Sequence, residues 1–356
     1  MSANYGKNIE LSIFGESHGK AIGINIGNLP AGIKLDEDEI HFHMSRRAPG
    51  KNKMSTSRVE KDEVEFLSGV KDGYTTGAPL CAVIYNSNQH SSDYSELEEK
   101  MRPSHSDYPA YIKYKGYNDI RGGGHFSGRM TAPIVLAGSI ARQILKEKGI
   151  TIGAHIKSIK DINDESFNTT MDASLLESLH KETLPVLNIE VASQYQEVIE
   201  KARENLDSVG GQIECAITGI KPGIGNPFFD SVESHMSQLL FSIPAVKGVV
   251  FGDNNIHTLY GSEANDPYYF DQETVKTKTN HNGGILGGIT TGMPITFTVN
   301  IKPTPSIGVS QDTINIKTKE NTTLEIKGRH DPCIVQRAVV VVESMAAIAL
   351  LDLMGE

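Results

Sequence analysis

Apolar and polar residues alternate over residues 9–14 (I-E-L-S-I-F), the period of a half-buried strand, and a second apolar strand pattern covers 21–26. Only Gly15-Glu16-Ser17-His18-Gly19 and one further residue separate them, so the turn is tight. Asp36, with Glu39 three residues on, predicts a capping box for a helix through His41 to Arg46, which Pro49-Gly50 ends. Residues 64–70 and 79–85 read as strands paired around Asp72-Gly73. Residues 92–116 are polar and tyrosine-rich. Apolar positions then recur at helical spacing: Met130, Ile134, Val135, Ala137, Ile140, Ala141, Ile144 and Leu145. Pro133 falls in that helix's first turn, and Lys146, Lys148 and Gly149 give a normal stop.

Further on, 151–160 reads as a strand and 161–187 as a connection with little periodic signal. Residues 192–206 are helical in period, 211–220 a strand closing on K-P-G-I-G, 232–241 a helix and 247–251 a strand. Residues 294–301 form a strong β run that leaves through Lys302-Pro303-Thr304-Pro305-Ser306. The last element is a long apolar helix ending near Leu353, with Asp331 as its N-cap and Pro332 at its first position. Its apolar run, 338–351, is interrupted by Glu343 and is too short to span a bilayer. Strands and helices mix without a regular βαβ beat, which predicts α+β layers rather than a doubly wound sheet. Residues 19–32 echo 210–223, and 123–131 echo 283–291, a weak sign of internal duplication or of shared strand chemistry.

At 356 residues the chain is long enough for one large domain or two interleaved lobes. Hydrophobic residues at 38% and charged residues at 22% describe a soluble globule, and residues 1–8 lack an apolar signal core, so no export is expected. Cys81, Cys215 and Cys333 are scattered without metal-ligand spacing, which fits a reducing cytoplasm. A net charge of −10 argues against general nucleic-acid binding. The charge is nevertheless sorted: Arg46, Arg47, Lys51, Lys53 and Arg58 crowd one loop, as suits a small polyanionic ligand.

Chemistry gathers around R-G-G-G-H-F-S-G-R at residues 121–129. Three glycines let backbone approach a ligand closely, and a helix follows at once, so free N–H groups and a helix dipole offer an anion seat. The stretch matches neither the dinucleotide fingerprint nor the P-loop. Histidines 18, 105 and 125 lie in loops among small or polar residues, a usual address for acid–base work. No pair has the spacing of a helical zinc site, so no metal is expected. Arg329 stands just before a helix start and suits a phosphate or carboxylate. Ser17 sits in G-E-S-H-G with a strand after it, which is not the context of a hydrolase nucleophile.

Together these stretches resemble the chorismate synthase family, and the match runs essentially end to end. It rests on G-E-S-H-G (15–19), S-R-R-A-P-G (45–50), R-P-S-H-S-D (102–107), R-G-G-G (121–124), F-S-I-P-A-V-K-G (241–248), N-H-N-G-G-I-L-G-G (280–288), K-P-T-P-S-I (302–307) and G-R-H-D-P-C (328–333), in the family's order. The resemblance implies a layered β-α-β sandwich in one large domain over residues 1–356, assembled as a homotetramer. It implies conversion of 5-enolpyruvylshikimate 3-phosphate (EPSP) to chorismate and phosphate, the last step of the shikimate pathway, by an anti 1,4-elimination that requires reduced FMN.

The same resemblance assigns roles. Arg46, Arg47, Arg129 and Arg329 would hold EPSP. His125, Phe126, Ser127, Pro244, Ala245, Gly287, Lys302, Pro303, Thr304, Pro305, Ser306 and Arg329 would contact FMN. Arg47 and Lys53 would meet a nicotinamide nucleotide in members that use NADPH as reductant. His105 would be the acid at the departing phosphate and His18 would lie at the flavin. Asp331 would sit near flavin N5, and Ser17 with Ser127 would complete a proton relay. Two departures fall at the flavin contact: His125-Phe126 replaces the commoner Arg-Ser, and Pro244 stands where asparagine is frequent. A flavin reductase using the same phosphate seat is the alternative.

Overall fold

The computed structural model describes residues 3–50, 62–86, 96–326 and 331–355. Its first half contains β1 (Asn4–Tyr5), β2 (Glu10–Gly15), β3 (Ala21–Gly27), α1 (Glu37–Arg47), β4 (Val64–Ser68), β5 (Val70–Lys71), β6 (Tyr74–Thr75), β7 (Leu80–Tyr85), α2 (Asp107–Tyr114) and α3 (Thr131–Glu147). There follow β8 (Thr151–Ile159), β9 (Ile162–Asn163), α4 (Ala173–Leu179), α5 (Ile189–Glu204), β10 (Gly211–Thr218), α6 (Val232–Leu240) and β11 (Val246–Phe251). The chain closes with α7 (Gly261–Ala264), the hairpins β12 (Tyr268–Asp271)–β13 (Thr274–Thr277) and β14 (Ile285–Leu286)–β15 (Ile289–Thr290), β16 (Ile295–Ile301), the hairpin β17 (Gln311–Asn315)–β18 (Glu320–Leu324), and α8 (Val335–Met354).

Two five-stranded sheets, wholly antiparallel, carry the fold, in the orders β1-β2-β3-β7-β4 and β11-β16-β10-β8-β9. Helices α3 and α8 lie between them. α3 packs on β3 and β7 of one sheet and on β8 of the other, while α8 packs on α3, β8 and β10. Every residue of α3 from Thr131 to Leu145 is buried, as is almost all of α8. A helix apolar on all sides belongs in a core, and here two of them form the middle layer of a β-α-β sandwich. One hydrophobic core runs through both sheets and the helices. The helices meet most closely where Gly138 faces Ser344; a Cβ on Gly138 would stand 2.2 Å from that of Ser344. The two echoed strands, β3 and β10, are the middle strands of the two sheets. The second echo diverges: Gly123 leads to a helix, whereas Gly283 leads to the β14–β15 hairpin.

Glu343, on α8, is fully buried and ties the layers together. It accepts from Arg46 of α1 (2.5 and 3.1 Å), Arg142 of α3 (2.8 Å) and the Ala154 amide of β8 (3.1 Å). Burial opposes its charge, but these cations hold its carboxyl well below the ordinary range.

Several expectations are corrected. Asp331 does not cap the last helix: α8 starts at Val335 behind Ile334, and the Asp331 carboxylate accepts instead from Arg337 (2.6 Å). Asp36 does cap α1, accepting from the Glu39 amide, but the Glu39 carboxylate faces His43 at 3.8 Å. The Asp72-Gly73 turn belongs to the small β5–β6 hairpin, with both residues at positive φ, and β4 pairs with β7 around it. Helices α2 and α4 lie in stretches expected to be irregular; tyrosine and proline in one and few apolar repeats in the other mask the helical period.

Candidate functional site

The glycine loop forms the floor of the site. Gly122, Gly123 and Gly124 all have positive φ (58°, 85° and 54°), which lets the loop fold flat without side chains. A Cβ on Gly122 would stand 2.2 Å from the His18 ring and 2.9 Å from Ser17 Oγ. A Cβ on Gly123 would stand 3.5 Å from His105 Nε2 and 3.6 Å from the Ser127 Cβ. Ser17 and His18, His105, and Ser127 thus converge from three stretches of the chain on two adjacent glycines. The G-E-S-H-G turn is docked by the Ser17 amide on the Gly124 carbonyl (3.1 Å) and by His125, whose Nδ1 donates to the Gly15 carbonyl (2.8 Å). His18 is buried. Ser127 Oγ accepts from the Arg129 amide (3.3 Å) and caps the short turn that leads into α3.

On one side stand two buried arginines. Arg47 ion-pairs with Asp62 (3.1 Å) and donates to the carbonyls of Gly128 (3.4 Å) and Arg129 (3.3 Å). Arg129 ion-pairs with the same Asp62 and donates to Asn86 (3.0 Å). Two guanidiniums thus lie together on one carboxylate in a buried setting, where charge-assisted hydrogen bonds to an anion are strong. Asp331 joins this side through Arg337, which also donates to the Arg47 carbonyl (2.9 Å). Arg46 points the other way, its fork closed on Glu343. Arg121 faces outward onto Asp119. Arg329 and Lys53 lie outside the described residues.

The Lys302–Ser306 segment lies against the His105 loop. Lys302 donates to the Ser104 carbonyl, and Arg102 donates to Ser306 Oγ (3.4 Å). Pro244 and Ala245 run alongside, the Lys302 amide donating to the Ala245 carbonyl (3.0 Å), with Ala245 at φ 73°. Burial, and then the charge of Lys247, push the Lys302 ammonium below its ordinary value. Thr304 Oγ1 is buried without a hydrogen-bond partner among the described residues. Two mutually repelling lysines and an orphaned buried hydroxyl fit a phosphate-bearing group such as that of FMN. Phe126 packs beside Tyr114 of α2 (ring centroids 6.2 Å apart). Gly287 turns the β14–β15 hairpin, where the Gly288 carbonyl accepts from the Val232 amide at the start of α6 (3.1 Å).

Sequence reasoning missed Asp62, Asn86, Arg102, Asp107 and Arg337, which hold the functional side chains in place. Only Arg102 and Asp107 carry any local signal, as members of R-P-S-H-S-D.

Histidines on a backbone floor, flanked by buried guanidiniums and a lysine-bearing segment, equip an α+β sandwich for acid–base chemistry on an anionic small molecule. Residues 9–354 match the chorismate synthase family, and the chain belongs to it. It is 42% identical over 354 residues to a chorismate synthase of Dehalococcoides mccartyi, covering 99% of this chain and 96% of that one. It is 45% identical over 354 residues to that of Lachnoclostridium phytofermentans (99% and 95% covered) and 44% over 364 residues to that of Methanocaldococcus jannaschii (98% and 95%). A crystal structure of a chorismate synthase superposes with a TM-score of 0.76 at 27% identity, covering 98% of this chain and 92% of the other. The sandwich expected from the resemblance is therefore the fold observed.

Proposed function

We propose that this chain converts EPSP to chorismate and inorganic phosphate with reduced FMN bound. The observation that carries this reading is the convergence of His18 and His105 on Gly122 and Gly123, in the loop that leads to Arg129 and its neighbour Arg47, with Lys302 bonded to the His105 loop. EPSP brings two carboxylates and a phosphate. Arg47 and Arg129, with Arg329, hold its anionic groups, and Asp62 gives way or shares them. Reduced FMN, if bound here, would supply transient electron donation and an acceptor for the second hydrogen.

The chain's own residues do the rest. The Lys302–Ser306 segment, Ala245 and the glycine loop seat the cofactor. His105 gives a proton to the departing phosphate oxygen. His18, buried against Gly122, holds charge and proton near the flavin, and Ser17, Ser127 and Asp331 line the same space. Arg46, turned into the core, supports α1 instead of touching substrate. NADPH docking at Arg47 and Lys53, a homotetramer and a cytoplasmic location complete the reading. A flavin reductase is not favoured, since the named relatives are chorismate synthases.

Calorimetric titration of EPSP into protein carrying oxidised FMN tests the placement. Tight binding is expected, with a loss of roughly ten-fold or more in Arg129→Ala. EPSP affinity unchanged in that variant contradicts the site.

A further inference from the structure

Asp107, at the first turn of α2, is buried and accepts four hydrogen bonds within a six-residue stretch. Three come from Arg102: its amide (3.1 Å), Nε (2.7 Å) and NH2 (2.8 Å). The fourth comes from Nδ1 of His105 (2.6 Å), while Ser106 Oγ is more distant from that nitrogen at 3.4 Å. Burial works against the Asp107 charge, yet the bonds from Arg102 and His105 hold its carboxyl far below the usual range, so it is ionised. An ionised carboxylate only accepts, so Nδ1 of His105 must carry a proton in both the neutral and the charged ring. Nε2, on the far edge of the ring, faces Gly123 and makes no hydrogen bond among the described residues. Arg102 in turn donates to Ser306, so the carboxylate that orients His105 is tied to the Lys302–Ser306 segment.

We propose that Asp107 is a positioning residue: held by Arg102, it fixes the Nδ1–H form of His105 and makes Nε2 the atom that exchanges the proton. This deepens the reaction assigned above and rests on it. In that reaction Nε2–H passes its proton to the phosphate oxygen as the carbon–oxygen bond breaks, and the N–H electron pair stays on Nε2. Asp107 keeps its own charge throughout. An acid aimed in this way needs no search for tautomer or rotamer at the moment of bond cleavage.

The test uses the FMN-loaded full chain labelled with 15N-histidine, with the His105 signals identified by their loss in His105→Gln. Two-bond proton–nitrogen correlation spectra across a pH titration are expected to show the neutral wild-type ring protonated at Nδ1, and that preference to vanish in Asp107→Asn. The same variant is expected to lose on the order of a hundred-fold in kcat, with KM for EPSP within about two-fold. Because Asp107→Asn leaves Arg102 with a neutral partner, the paired Arg102→Gln/Asp107→Asn variant is measured alongside and is expected to lose a similar rate. A neutral wild-type ring protonated at Nε2, or wild-type kcat in Asp107→Asn, overturns the proposal. Absence of chorismate formation by the wild type overturns the reaction instead, and the tautomer of His105 then still decides the role of Asp107.

Discussion

His105 is reached by two different kinds of information. Its loop address and its place in R-P-S-H-S-D are visible in the sequence, whereas the Asp107 bond and the Gly123 floor exist only once α2 and the glycine loop have folded. Replacing it with alanine removes the acid but leaves the bonds of Lys302 to the Ser104 and Ala245 carbonyls in place. His105→Ala is therefore expected to bind FMN within about two-fold of wild type while losing roughly 10²- to 10⁴-fold in kcat, measured by chorismate formation. Gly122 makes the complementary case. Its φ of 58° strains any residue with a Cβ, and that Cβ would also meet the His18 ring at 2.2 Å. Gly122→Ala is expected to fold and to lose most of its turnover, because His18 must leave its place; full activity would show that His18 has room to spare. Asp62 and Arg337 were illegible because their identity as partners depends on which segments meet, and nothing in their neighbours in sequence announces that.

At the scale of elements, strong periodicity was legible and weak periodicity was not. The β2–β3 turn, α3, β8, α5, β10, α6, β11, β16 and α8 follow from apolar spacing, to within a few residues at their ends, and α1 from its Asp36 cap and Pro49-Gly50 stop. α2 and α4 do not, since each is short and carries few apolar repeats. The two buried helices meet where Gly138 lets Ser344 approach. Gly138→Ala places a Cβ within 2.2 Å of the Ser344 Cβ and 2.5 Å of its Cα. The helices must separate, at a cost of about 1–3 kcal/mol or more, read as a lower denaturant midpoint. An unchanged midpoint would mean that the α3–α8 crossing is loose. The glycine loop sits at the head of α3, so the same variant is expected to reduce turnover as well.

For the whole molecule, the buried charges between the layers set the response to acid. Burial, with the charge of Arg142 among the other causes, pushes His43 down to about 4 and His180 down to about 3, from an ordinary 6.5. The unfolded chain therefore takes up protons first as pH falls below about 6.5, and stability declines from there through about 4 to 3. Glu343, also depressed, adds its share only below its ordinary 4.5. His155, buried between Asp164 (3.1 Å) and Glu214 (2.8 Å), has a raised value, so its contribution is complete below about 6.5 and fades as pH rises through that raised value. Denaturant midpoints measured across pH are expected to show the acid decline beginning near pH 6.5 rather than near 4.5; a flat response down to pH 4.5 would refute it. Glu343→Gln, which leaves Arg46 and Arg142 without their counter-charge, is expected to cost about 3–5 kcal/mol. None of this was legible beyond the oddity of one glutamate in an apolar helix.

The central claim is that one glycine floor, with His18 and His105 upon it and Arg47 and Arg129 beside it, carries out the elimination. The direct measurement is anaerobic incubation of the purified chain with EPSP and chemically reduced FMN, without NADPH, following chorismate and phosphate together. Both products are expected in equal amounts, with no net consumption of reduced flavin. Absence of chorismate and of EPSP binding, or steady consumption of reduced flavin without product, would contradict it.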